Sequence, residues 1–166
     1  MIALTALLTG LQFVFPSLLP ALKRTPAAIA GHEFWRLITP LFVHADGWRQ
    51  IAFNFSGIAI VGMLAERIFG SARWLILYFV PGITAEVIAL FWQPYGAGAS
   101  IAGAGLLGAL AAWLLLAGRR AQAWIRASFI LMGAIVLTFF RDIHGPPLLL
   151  GAGIAALMIR KLGDHY

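Results

Sequence analysis

Apolar residues follow one another along this chain in blocks of roughly twenty, the length that carries an α-helix across a bilayer, separated by short polar or Gly/Pro-rich breaks. The first block runs from Ile2 to Leu22 and ends at Lys23-Arg24. The second spans Gln50 to Glu66, and the third spans Trp74 to Trp92 with Pro81 inside it. The fourth runs from Ser100 to Ala117 and is closed by Arg119-Arg120; the fifth is Trp124 to Phe140. A sixth opens with Pro146-Pro147, residues suited to a first helical turn, and ends at Arg160-Lys161. The pattern predicts an all-α membrane protein, a bundle of six transmembrane helices forming a single domain over residues 1–166. A cleaved signal peptide is the rival reading of the first block, since Ala28-Ile29-Ala30 has the small-residue form of a cleavage site. The block lacks a basic start and is too long for such a segment.

Residues 23–49 are the longest polar stretch, yet they hold Phe34, Trp35, Leu41, Phe42 and Trp48. A flexible linker has no use for such side chains. A structured loop at the membrane interface, where tryptophan concentrates, is expected instead.

Composition sharpens this picture. The chain is 61% hydrophobic and 11% charged, against roughly 45–50% and 25% in soluble domains, and its mean hydropathy is +0.91. Lipid is the solvent in which this composition makes sense. The net charge of +6 does not point to nucleic acid, because the basic residues sit at span ends rather than along one face. They read as topology signals and anionic-lipid contacts. Arg67, Arg73, Arg119, Arg120, Arg126, Arg160 and Lys161 fall on one side, against Lys23, Arg24, Arg36, Arg49 and Arg141 on the other. This bias places both termini in the cytoplasm, and the compact six-span form fits a bacterial inner membrane. The absence of cysteine excludes disulfides and thiolate metal sites. No residue cluster has metal-ligand spacing and no phosphate-binding glycine loop follows a strand, so no metal and no cofactor is expected.

The candidate chemistry gathers on the outer side. Ser100 opens the fourth span after Gly96-Ala97-Gly98-Ala99. A serine there is commonly a helix cap; it is also where a nucleophile would find free N–H groups and the helix dipole to stabilise an oxyanion. His144 precedes the sixth span and is the side chain that can activate a serine at neutral pH. Asn54 lies just inside the second span, where an amide must face protein or water; it can donate to an oxyanion or bond another helix. Ala104 and Gly108 continue the Ser100 stripe, and Gly151 and Ala155 lie on the sixth span, so the two helices can approach closely. Glu66 is read as structural, with Arg36 a partner only if the first loop folds deep; His44 is read as a loop-ordering group. A transporter would place charges near mid-span, and none is expected there.

In combination these residues resemble the rhomboid family of intramembrane serine proteases, over about Trp35 to Gly151. The resemblance rests on Trp35-Arg36 and His44 in the first loop, and on Asn54, Gly62, Glu66 and Gly70 in the second span. Gly98-Ala99-Ser100 stands where the family keeps its nucleophile, with Gly105 and Gly108 after it. It implies a six-helix fold that cleaves membrane-embedded protein substrates with a Ser100–His144 dyad and no aspartate. Asn54, Gln50 and the Ser100 backbone N–H would hold the oxyanion. Three departures stand out: Ile101 replaces the glycine usual after the serine, Gln50 replaces a histidine, and His144-Gly145-Pro146-Pro147 replaces His-x-Gly-Gly. The prolines are expected to raise His144 by about a turn. Alignment of the sixth span from its Arg160 end instead puts proline or leucine at the histidine position, which implies a non-catalytic relative that binds transmembrane helices.

Overall fold

The computed structural model describes residues 1–118 and 120–163, with side chains through Arg160; Arg119 and the side chain of Lys161, counted above among the basic flanks, lie outside the described residues. The first apolar block does not form one helix. Helix α1 covers Ile2–Val14 and stops because Pro16 holds the preceding Phe15 extended, at φ −119° and ψ 90°. A short α2, Leu18–Leu22, follows. Thr25 then caps α3, Pro26–Ala30, accepting from the Ala28 N–H at 3.3 Å with Pro26 in the first turn. Two 3₁₀ turns, Phe34–Leu37 and Thr39–Phe42, complete the polar stretch.

That stretch is tied down at several points. Arg36 donates to the Pro20 and Lys23 carbonyls at 2.5 and 3.0 Å, and Thr39 donates to the Leu22 carbonyl at 2.7 Å. Leu41, Phe42 and Val43 are buried, while Trp35 and Trp48 project outward.

The second block is a continuous helix over Gly47–Phe69. It comprises α4 (Gly47–Gly57), a π-turn (Ile58–Gly62) and α5 (Met63–Phe69), and Gly70 ends it at φ 78°, a conformation open to glycine. The π-turn keeps the Gly62 carbonyl in reach of the buried Trp74 indole N–H, 2.9 Å away. Helix α6 runs Ser71–Trp92 straight through Pro81, followed by α7 (Ser100–Leu116), α8 (Ala121–Phe139) and α9 (Gly145–Gly163). Three of these helical stretches, Gly47–Phe69, Ser71–Trp92 and Ala121–Phe139, are long and apolar enough to cross a membrane; Ile2–Val14, Ser100–Leu116 and Gly145–Arg160 are shorter and also apolar.

Helix α7 is the axis of the molecule. Ten of its residues are buried, and its closest neighbour is α9. A Cβ on Gly108 would overlap the Leu148 carbonyl oxygen, and one on Gly151 would overlap that of Gly105. Gly105 also seats α6, since a Cβ there would come within 2.7 Å of Pro81 Cβ. The closest approach of α9 is therefore at Gly105 and Gly108. Ala104, assigned to that stripe from sequence, packs against Leu148 of α9 and also against Ala134 of α8. Of the long helices α8 is the least enclosed, with only Ala127 and Ala134 buried and Phe129, Met132 and Phe139 turned outward, as a lipid-facing helix requires.

The expectation that the spans carry no inner charge fails at Glu86 in α6. Glu86 is buried and paired with Arg24, whose guanidinium also donates to the Gln93 carbonyl at 2.8 Å. Arg24 and Gly96 exchange backbone hydrogen bonds as well. The pair thus ties the first loop to the 93–99 turn.

Candidate active site

Helix α7 begins one residue earlier than a Ser100 cap would require. Ala99 occupies the capping position and Ser100 the first helical turn, so Ser100 Oγ is not spent on its own backbone. Its N–H and those of Ile101 and Ala102 have no partner within the helix, as at any helix start. Ile101, the side chain that replaces glycine, is 2% exposed and packs into the core, and it also borders a small cavity beside Ser100.

Helix α9 starts at Gly145, directly after His144, with the two prolines in its first turn. The prolines do not lift His144 out of reach: its Nε2 lies 2.9 Å from Ser100 Oγ. The expected displacement is absent because the tight 140–144 turn absorbs it. Arg141 takes φ 57°, Asp142 N–H bonds to the Leu137 carbonyl at 2.8 Å, and Gly145 sits so close to α8 that a Cβ would overlap Thr138 Oγ1.

Sequence reasoning passed over Asp142. Its Oδ1 lies 2.7 Å from His144 Nδ1 and accepts from the His144 backbone N–H at 2.8 Å. Burial pushes the Asp142 carboxyl up, but these two bonds and the histidine's charge outweigh burial and hold it below its ordinary value. The only available signal was an acid two residues before a candidate base in a short turn.

Asn54 is 3% exposed, and neither amide atom has a partner. Gln50 is partly committed: Nε2 donates to the Ala97 carbonyl at 2.9 Å and Oε1 accepts from Asp46 N–H at 3.0 Å, leaving one N–H free. Both amides converge on Gly98, where a Cβ would stand 3.4 Å from Asn54 Nδ2 and 2.5 Å from Gln50 Nε2. A Cβ there would displace the Gln50 amide from this position.

Ser100 and His144 border two cavities. One, of about 240 Å³, is apolar and is walled by Asn54, Phe53, Val61, Leu107 and Leu148 among others. The other, of about 140 Å³, is polar and is lined by Asp46, Gln50, Tyr95, Glu86 and Arg24 among others.

The remaining candidates stand away from this centre. His44 is buried, stacked on Phe55 at 5.8 Å, with Nδ1 3.1 Å from Thr9 Oγ1 and its backbone N–H and carbonyl both bonded to the Gln12 amide. It orders the loop against α1. Arg36 pairs with Glu33 at 2.6 Å rather than with Glu66, because the loop does not fold to that depth; Glu66 accepts from Ser71 Oγ at 2.6 Å. Trp35 is half exposed, Gly62 and Gly70 shape the second helix, and Gly105, Gly108 and Gly151 shape the α6–α7–α9 contact. Among the described residues no group of three or more His, Cys, Asp or Glu could hold a metal.

A family model described as the Rhomboid domain matches residues 31–157. The chain belongs to the rhomboid family. Its sequence is 45% identical over 83 residues to Rhomboid protease GluP of Bacillus subtilis, covering 49% of this chain and 16% of that protein. It is 32% identical over 87 residues to Rhomboid-like protease 3 of Toxoplasma gondii, covering 51% of this chain and 33% of the relative. It is also 30% identical over 66 residues to Inactive RHOMBOID-like protein 8 of Arabidopsis thaliana, covering 40% and 18%. The chain thus spans a third or less of each of these relatives. Family membership and the apolar helices make this rhomboid an integral membrane protein.

Proposed function

We propose that this rhomboid is an intramembrane serine protease that cleaves peptide bonds in or near transmembrane segments of membrane proteins. The observation that carries the reading is the 2.9 Å separation of Ser100 Oγ and His144 Nε2, within the reach a nucleophile and its base need. Ser100 Oγ attacks the substrate carbonyl carbon as its proton passes to His144 Nε2. The resulting oxyanion is held by Asn54 Nδ2, the free Gln50 N–H and the Ser100 backbone N–H. Collapse breaks the C–N bond, and His144 returns the proton to the leaving amine. A water then hydrolyses the acyl-enzyme with His144 as base. The apolar cavity suits a side chain from a lipid-embedded substrate, and the polar cavity suits the water. No cofactor enters any step, and no nucleic acid is involved.

In this reading residues 1–166 form one rhomboid domain that crosses the bilayer six times. Both ends are cytoplasmic, with the Ser100–His144 end outside, and the location is a bacterial inner membrane. Relatives named as proteases support the catalytic reading.

One relative named as inactive, together with Gln50 and Ile101 at positions the family fills otherwise, favours a second reading. There the chain binds transmembrane helices without cutting them.

The test is cleavage of a single-span reporter protein in liposomes by the purified protein. Cleavage is expected for the wild type, with Ser100→Ala and His144→Ala both inactive though folded. Cleavage that persists in both variants contradicts the proposed chemistry. An inert wild type that still captures the reporter supports the second reading.

A further inference from the structure

We propose that Asp142 is a positioning residue for His144, which turns the Ser–His pair into a three-residue chain; the proposal rests on the function proposed above. The family resemblance implies a dyad without an aspartate. In this chain one carboxylate oxygen, Asp142 Oδ1, accepts both the backbone N–H of His144, at 2.8 Å, and the ring Nδ1, at 2.7 Å.

An ionised carboxylate has only lone pairs to offer. Nδ1 must therefore carry the ring's proton. The neutral imidazole then has its lone pair on Nε2, the atom 2.9 Å from Ser100 Oγ. Asp142 thus selects the tautomer in which His144 can take the serine proton, and it fixes the plane of the ring. The lowered pKa keeps the carboxyl ionised at neutral pH. When His144 becomes imidazolium, the charge is balanced by a carboxylate already in place. Asp142 takes no proton in this scheme, as in the triads of soluble serine proteases.

The turn that presents Asp142 is held from both sides. Gly145 is pressed against Thr138 and Ala134 of α8, and the Asp142 N–H and carbonyl bond to Leu137 and Gly145. Among the described residues, no other basic side chain pairs with Asp142, and its contact with His144 becomes an ion pair when the ring is protonated. Its carboxylate is therefore directed at the ring by the fold and not drawn off by another cation.

The test uses a fluorophosphonate probe, which needs no known substrate. In that reaction the Ser100 Oγ–P bond forms, the P–F bond breaks, fluoride leaves, and the serine proton goes to His144 Nε2. Asp142→Asn, nearly the same shape, is expected to slow labelling roughly 10- to 100-fold, less than or at the lower bound of the roughly 10²–10⁴-fold that a positioned base contributes, because the base itself remains. Ser100→Ala should not label at all. A purely structural role is separated by ¹⁵N-histidine shifts, with His144→Gln used for assignment. The wild type should carry the proton on Nδ1, and Asp142→Asn should move it to Nε2.

Equal labelling rates in the wild type and a folded Asp142→Asn variant overturn the positioning role and leave the proposed protease standing. A wild-type His144 protonated on Nε2 also overturns it. A wild type that fails to label overturns the proposed function, and in that case the ¹⁵N shifts alone decide whether Asp142 sets the tautomer.

Discussion

Asn54 is buried without a hydrogen-bond partner on either amide atom, a state that costs a fold about 1–3 kcal/mol. The arrangement makes sense if the amide is waiting for an oxyanion. Asn54→Leu should therefore leave the thermal midpoint unchanged or raise it, while cleavage falls about 10²–10³-fold, the loss of one oxyanion donor. A folded variant with undiminished cleavage removes Asn54 from the mechanism. Ser100, His144 and Asn54 were legible in the sequence because polar side chains at the starts of apolar spans have few reasons to be there. Asp142 was not, because its role depends on a turn in which Arg141 takes positive φ, a geometry no periodicity encodes. Glu86 was passed over for a related reason: its partner Arg24 lies 62 residues away.

At the scale of helices, two contacts carry sharp expectations. The α7–α9 seam closes on Gly108 and Gly151, where any Cβ meets backbone of the other helix. Gly151→Val should cost about 1–3 kcal/mol or more, read as a lowered melting midpoint in detergent; an unchanged midpoint would show the helices free to separate. Helix α1 is held to the first loop by Thr9, Gln12 and His44. Burial lowers the His44 pKa, so below its unfolded value of about 6.5 the unfolded state binds more protons. This contribution is fully present above that pH and is lost as pH falls through the lowered folded value. Hydrogen exchange of the α1 amides, corrected for intrinsic rates, should quicken over that range in the wild type and stay flat in His44→Asn. Helix identity and order could be read from apolar block lengths, and the small-residue stripe could be read in outline. The break at Pro16 and the π-turn at Ile58–Gly62 could not, since both lie inside runs whose hydropathy is uninterrupted.

For the whole molecule, the first loop, the 93–99 turn and the 140–144 turn meet at one end, joined by Arg24–Gly96, Gln50–Ala97 and Ser100–His144 contacts. The proposed topology exposes that end outside the cell. The chain contains no cysteine, so single cysteines report sidedness cleanly. Cysteine at Tyr95 or Arg141 should react with an impermeant thiol reagent from outside, and cysteine at Ser71 or Arg120 only after the membrane is opened. The reverse pattern would invert the orientation. Family membership and membrane residence were both within reach of the sequence, because composition and motif order are properties of the whole chain. Whether the paired groups cut a substrate is a matter of chemistry. The most direct measurement is mass spectrometry of a single-span reporter incubated in liposomes with the wild-type protein. The account predicts two complementary fragments whose junction lies inside the membrane segment or within a turn of its end, absent with Ser100→Ala. An intact reporter beside folded wild-type protein, or a junction far out in a soluble region, would contradict it.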